Sequence, residues 1–193
     1  RFGAGNTGDR STMAQLGARY GFEVQVLEDI ASDDERRWSS TWARELLENG
    51  RMEELAGVLG REHTMRGAVV HGEARGRELG FPTANLDPAS SGAVPADGVY
   101  AGWLVRDSGE GDRLAAAISV GTNPTFDGVT RQVEAHVIGR TDLDLYGEEV
   151  VVEFVSLLRP TLKFDGIEAL IATMHEDCAR ALDVLGITSG RAP

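Results

Sequence analysis

The 193-residue sequence has a single cysteine, Cys178, so an internal disulfide framework and a Cys-rich metal site are both excluded, and a reducing, cytoplasmic compartment is expected. It has no run approaching the roughly 18 apolar residues that a membrane span requires, and no basic segment followed by an apolar stretch at its start. Positive charge is scarce as well: 19 Lys and Arg stand against 31 Asp and Glu, for a net charge of −12. A partner held through phosphate-backbone charge, such as nucleic acid, is therefore not expected. A nucleotide remains compatible, because backbone N–H groups, a metal ion and a few local cations can supply the attraction. His71, His136 and His175 have no metal-ligand spacing with one another or with Cys178, which argues against zinc. No internal repeat is present, so a solenoid or propeller is not expected.

What the sequence does have is glycine, 24 residues of it, within a composition that is 41% hydrophobic and 26% charged. That balance suits a packed globular core with many turns or close backbone approaches. Residues 1–61 read as loop, helix, strand, helix, helix. Leu16 and Tyr20 fall at helical spacing before Gly21, residues 22–26 alternate as a half-buried strand would, and Ser39-Ser40-Thr41 supplies N-cap chemistry for a helix that Asn49-Gly50 ends. A second helix runs from Met52 to Leu59 and stops at Gly60.

From Thr64 the period changes. Strands are expected over 65–70, 98–105, 114–120, 132–138 and 150–158, with no long helix between them, which suggests an antiparallel barrel or sandwich. Ile167, Leu170, Ile171, Met174, Cys178, Ala181 and Leu182 then form an i, i+3/i+4 stripe for a closing helix on the barrel, with Cys178 read as a core residue.

Four candidate pieces could carry chemistry. Gly67, Gly72, Gly76 and Gly80 lie within fourteen residues, interleaved with Arg75 and Arg77, directly after a strand. Backbone N–H groups there could close around phosphate oxygens, or the stretch could be an ordinary barrel loop. Pro82-Thr83-Ala84-Asn85 presents a hydroxyl and an amide two residues apart, hence on one side of an extended segment. These are oxygen ligands of the kind Mg²⁺ accepts beside phosphate and water, or they satisfy a turn. Asn123-Pro124-Thr125-Phe126 could form one lip of a pocket, or simply punctuate a turn. Finally, Glu134 and His136 share one strand face opposite Val133, Ala135 and Val137, and Arg159-Pro160 ends the strand after that, where a cation could anchor a ligand or cap the sheet.

Taken in order with Leu79, Phe81, Pro95, Gly98-Val99-Tyr100, Gly121, Asp144-Leu145-Tyr146-Gly147, Leu158 and Lys163-Phe164, these residues resemble the riboflavin kinase module at the C-terminal end of bacterial bifunctional riboflavin kinase/FAD synthetases. The resemblance implies a mainly β fold, a six-stranded antiparallel Greek-key barrel with a C-terminal helix over 62–187, followed by a tail at 188–193. It implies transfer of the γ-phosphate of ATP to the 5′-hydroxyl of riboflavin, giving FMN and ADP. Glu134 would be the catalytic base. Gly72, Arg75, Gly76, Arg77, Gly80, Pro82, Thr83, Asn85 and Tyr146 would bind ATP, with Thr83 and Asn85 meeting Mg²⁺; Asn123, Pro124, Thr125 and Arg159 would bind the flavin. The implied partners are small-molecule substrates, with neither nucleic acid nor membrane, and no oligomeric state is implied.

Residues 1–61 resemble the end of the attached FMN adenylyltransferase domain, an α/β remnant of Rossmann-like type, on Arg1-Phe2-Gly3, Gly8-Asp9, Ser39-Ser40-Thr41 and Arg44. Trp42-Ala43 departs from that family's usual pair before the arginine, and its His-x-Gly-His motif does not occur in this sequence. The chain, which begins at Arg1 inside a motif, is expected to be a fragment that does not convert FMN to FAD. Two other readings are a flavin-binding barrel without catalysis, which would need none of Thr83, Asn85 and Glu134, and an oligonucleotide-binding barrel, which the acidic charge disfavours.

Overall fold

The computed structural model describes residues 1–26, 36–72, 75–106, 112–125 and 128–187. By compactness the chain divides into two units, Arg1–Trp38 and Ser39–Pro193.

In the first unit, helix α1 (Arg10–Tyr20) starts where Asp9 accepts hydrogen bonds from the Thr12 backbone N–H and hydroxyl, while the Asp9 N–H returns one to Thr12 Oγ1. It ends at Gly21 in the left-handed conformation. Residues 22–26 follow without forming a ladder. The alternation there predicts a strand, but a strand exists only by pairing, and the described residues of this unit offer no second strand to pair with.

The second unit opens with α2 (Ser40–Glu48), capped by Ser39 Oγ accepting from Trp42 N–H at 3.2 Å, and α3 (Met52–Leu59), closed by Gly60 at φ +70°. Six strands follow: β1 (His63–Val70), β2 (Ala84–Leu86), β3 (Gly98–Arg106), β4 (Arg113–Thr125), β5 (Gly128–Val137) and β6 (Glu149–Arg159). One-turn α4 (Arg75–Glu78) separates β1 from β2, and α5 (Ile167–Val184) closes the chain. All pairings are antiparallel, in the closed order β1-β2-β5-β4-β3-β6. Closure leaves no sheet edge exposed to a stray strand.

Alternation along each strand puts Val69, Leu86, Tyr100, Leu104, Ile118, Val120, Val133, Ala135, Val137, Val150, Val152 and Phe154 inside. The same cluster includes Leu46 and Leu47 of α2 and Met52 and Leu55 of α3, so these two helices complete the barrel's core. A smaller cluster, Ala101, Leu158 and Ala181, joins α5 to the barrel. The expected α5 stripe is only partly core: Ala181 is fully buried, Cys178 is half-buried and Ile167 is 63% exposed. The reason is a cavity beneath the helix.

Candidate active site

The residues that position the site alternate with the core. On β5, Val133, Ala135 and Val137 point into the barrel, so Glu134 and His136 must point out. Register places Asn85 of β2 on one side of Glu134 and Ser119 of β4 on the other, with Val99 of β3 beyond Ser119 and Ala117 opposite His136. Directly paired residues share a face, so these side chains form a row across the outside of the barrel. The polar face of β5 is thus part of the outer wall, and α5 packs beside it on β3, β4 and β6.

Between that wall and α5 lies a cleft of about 730 Å³, part of it open to solvent. Val99, Ala117, Ser119, Glu134 and His136 line its floor, and Leu162, Phe164, Leu170, Met174 and Cys178 its roof. The small side chains at 117 and 119 leave room for a planar, mostly apolar ligand. A second, shallower depression, about 410 Å³ with most of that open to solvent, lies at the barrel's mouth, with Val69, Ala84, Ala135, Val137 and Leu145 as its apolar floor and Arg77, Arg140, Thr141 and Tyr146 around its rim. Thr83 lines both.

At that junction Thr83 Oγ1 donates to Glu134 Oε2 at 3.4 Å, and Asn85 Nδ2 donates to Thr83 Oγ1 at 3.3 Å and to the Thr83 carbonyl at 3.4 Å. Relaxed O–H···O bonds are about 2.7–2.8 Å, so this hydroxyl is loosely held and open to an incoming oxygen or cation. Gly72 comes so close that a Cβ there would sit 2.5–2.6 Å from the Asn85 amide, which fixes Gly72 as a residue without a side chain. Gly76 is similarly constrained, since its Cβ would meet the Phe81 carbonyl at 2.4 Å, and Gly80 adopts φ +87°.

Arg77 donates to the Tyr146 hydroxyl at 3.2 Å, and His71 stacks on the Tyr146 ring with centroids 3.9 Å apart. The side chain of Arg75 lies outside the described residues, as do those of Asn123, Pro124 and Thr125. Their backbone belongs to β4, where Asn123 pairs with Thr130, four residues along from the Ser119–Glu134 pair. At about 3.4 Å per residue, that puts the Asn123 backbone roughly 13 Å from the position opposite Glu134, at the hairpin tip.

Arg159 lines the cleft with its charge already engaged. Its Nε and Nη2 donate to Asp177 of α5 at 2.7–3.0 Å, its Nη1 donates to the Pro160 carbonyl, and the two ion-pair side chains are 14% and 5% exposed. A flavin would meet this guanidinium as a satisfied, flat group rather than as a free cation. Asp177 went unread in the sequence, although a carboxylate at i+3 from Met174 and i−4 from Ala181 on an apolar stripe signals a buried cation partner. Arg140 also went unread, and His71 entered only as a histidine without metal-ligand spacing. Arg140 forms an exposed pair with Asp142 at 2.7 Å, whose hydrogen bond raises the arginine's pKa further. Burial pushes the Cys178 thiol up to about 11, so at neutral pH it is an inert wall of the cleft.

Residues 59–185 match the family described as Flavokinase: Riboflavin kinase. The chain belongs to the riboflavin kinase family. Over 189 residues it is 33% identical to the bifunctional riboflavin kinase/FMN adenylyltransferase of Escherichia coli K12, covering 97% of this chain and 58% of that protein. Over 120 residues it is 39% identical to the riboflavin kinase of Mus musculus, covering 60% of this chain and 76% of the mouse protein. Among solved structures, one described as a macrolide-efflux protein from Streptococcus pneumoniae superposes with a TM-score of 0.76 at 31% identity, covering 93% of this chain and 55% of the other. Among the described residues here, no helix is long and apolar enough to cross a membrane. The chain spans about half the length of the bifunctional relatives, 58% of the Escherichia coli protein, and its barrel is the part that matches the riboflavin kinase family.

The donor set at the junction is chemically compatible with Mg²⁺. Thr83 Oγ1, Asn85 Oδ1 and the Glu134 carboxylate are hard oxygen ligands, while among the described residues no group of three or more His, Cys, Asp and Glu side chains could hold a metal. Such oxygen donors are of the kind Mg²⁺ accepts beside phosphate and water.

Proposed function

We propose that this chain transfers the γ-phosphoryl group of ATP to the riboflavin 5′-hydroxyl across the Thr83 junction, with ATP entering from the barrel-mouth cavity and the flavin lying in the cleft under α5. The observation that supports this is that Thr83 lines both cavities while its hydroxyl meets the carboxylate of Glu134. Phosphoryl transfer asks mainly for alignment and charge neutralisation. Glu134 lies on a rigid strand facing the flavin cleft, where its carboxylate can accept the proton of the attacking hydroxyl. Thr83 and Asn85 would hold Mg²⁺ with the nucleotide phosphates. When bound, the cation neutralises the phosphate oxygens. The Gly72-to-Gly80 stretch with Arg75, Arg77 and Pro82 would cradle ATP, and the ring of Tyr146, already stacked with His71, would offer its edge or face to the base. Arg159, with Asn123, Pro124 and Thr125 at the hairpin tip, would border the flavin.

The same reading assigns 1–61 to the end of an FMN adenylyltransferase domain, 62–187 to the kinase and 188–193 to a tail, in a cytoplasmic protein. The test is phosphorylation of riboflavin by ATP and Mg²⁺, followed chromatographically, for the wild type and Glu134→Gln. The expected result is FMN from the wild type and a kcat lowered about 10²–10⁴-fold in the variant, with riboflavin affinity kept. Near-normal turnover by the variant removes Glu134 from the mechanism, and a wild type that binds flavin without producing FMN identifies a binding barrel instead.

A further inference from the structure

The ladder that ties β2 to β5 runs out just where the reaction needs it most. Only Ala84 and Asn85 pair with Ala135 and Glu134, and residues 81–83 precede the strand without a ladder partner. Pro82 has no N–H to donate, so its carbonyl is the only backbone group by which Pro82 itself can be held. That carbonyl is held by a side chain: His136 Nδ1 lies 2.8 Å from Pro82 O. Since a carbonyl can only accept, Nδ1 carries the proton. The same imidazole meets Phe81 edge-on with ring centroids 5.2 Å apart, while His175 of α5 meets Phe81 from another side at 4.9 Å. Phe81 is buried, and its N–H donates to the Gly76 carbonyl at 2.8 Å.

We infer that His136 is a positioning residue for phosphoryl transfer: its Nδ1–H bond to the Pro82 carbonyl fixes the Thr83 peptide, and with it the Thr83 hydroxyl, opposite Glu134. One strand thus supplies both the carboxylate and, two residues on along the same face, the clamp that sets what the carboxylate faces. The inference rests on the proposed roles of Thr83 and Glu134. The clamp touches neither the phosphate nor the reacting hydroxyl, so its loss acts on alignment, where an error of about 1 Å can cost up to 10²-fold in rate.

Two variants separate the hydrogen bond from the ring. His136→Asn keeps an N–H donor near the Nδ1 position and loses the ring; His136→Phe keeps a ring against Phe81 and loses the donor. With Glu134→Gln measured in parallel, His136→Phe is expected to lose about 10–100-fold in kcat at saturating riboflavin, apart from any change in riboflavin Kd at the cleft floor, with a melting temperature near wild type. His136→Asn is expected to recover kcat to within about threefold of wild type. A two-bond ¹H–¹⁵N spectrum of the wild type should show His136 protonated at Nδ1. The inference is overturned if His136→Phe retains wild-type kcat, if His136→Asn is impaired as much as His136→Phe, or if Nδ1 is the unprotonated nitrogen. Should Glu134→Gln turn over normally, the broader mechanism fails; should it be slow while the His136 pair departs from this pattern, only the clamp fails.

Discussion

Single side chains decide how the roof of the flavin cleft is held. The Arg159–Asp177 pair joins the end of β6 to the middle of α5, with both groups largely withdrawn from water. Removing one partner of such a pair strands a buried charge, which costs about 3–5 kcal/mol, whereas replacing both by apolar groups of similar volume is often neutral. Asp177→Ala should therefore destabilise the domain by roughly that amount in denaturant unfolding, and Arg159→Met with Asp177→Leu should recover most of it. A change below about 1 kcal/mol in the single variant would mean the pair does not hold α5 down. Such pairings are poorly legible in a sequence, because they depend on which strand end a helix crosses. The hydroxyl, amide and carboxylate at 83, 85 and 134, singled out in the sequence, do lie together, whereas the clamp at His136 could be read only as a residue sharing a face with Glu134.

Strands were legible where they are long and alternate, and β2 was missed because three residues after a proline give no period to detect. That short strand nevertheless closes the barrel, since it alone bridges β1 and β5. The helical signals of α1, α2, α3 and α5 survived into the structure and the one-turn α4 was read as loop, but the N-terminal 22–26 alternation did not become a strand, pattern being insufficient without a partner. Glycine within a strand is the least readable of these signals, and Gly102 of β3 shows why one is needed. It sits where the β3–β6 register shifts, and a Cβ there would lie 2.0 Å from the Glu153 carbonyl and 2.4 Å from Ile118 Cδ1. Backbone cannot yield as a side chain tip can. Gly102→Ala should cost at least about 1–3 kcal/mol, lowering the melting temperature by several degrees in calorimetry. An unchanged melting temperature would show that β3 and β6 can separate there freely.

On the scale of the whole molecule, the described candidate site residues all belong to the unit Ser39–Pro193. The resemblance to an adenylyltransferase remnant groups α2 and α3 with the N-terminal piece, yet Leu46, Leu47, Met52 and Leu55 are buried in the same core as Met65, Tyr100 and Phe154. A chain starting at Ser39 should keep riboflavin kinase activity and its melting transition, while one starting at Glu62 should lose apolar cover worth about 1.5–3 kcal/mol per buried side chain and unfold or aggregate. Equal behaviour of the two truncations would show that α2 and α3 are dispensable. In the proposed mechanism, nucleotide and flavin approach Thr83 from two separate cavities. A crystal structure with ADP, Mg²⁺ and FMN tests it most directly: the ADP β-phosphate should lie by Thr83 and Asn85 on the barrel-mouth side, with the isoalloxazine under α5 and the FMN phosphate next to Glu134. A flavin ring seated in the barrel mouth, or phosphates remote from Thr83, would contradict it.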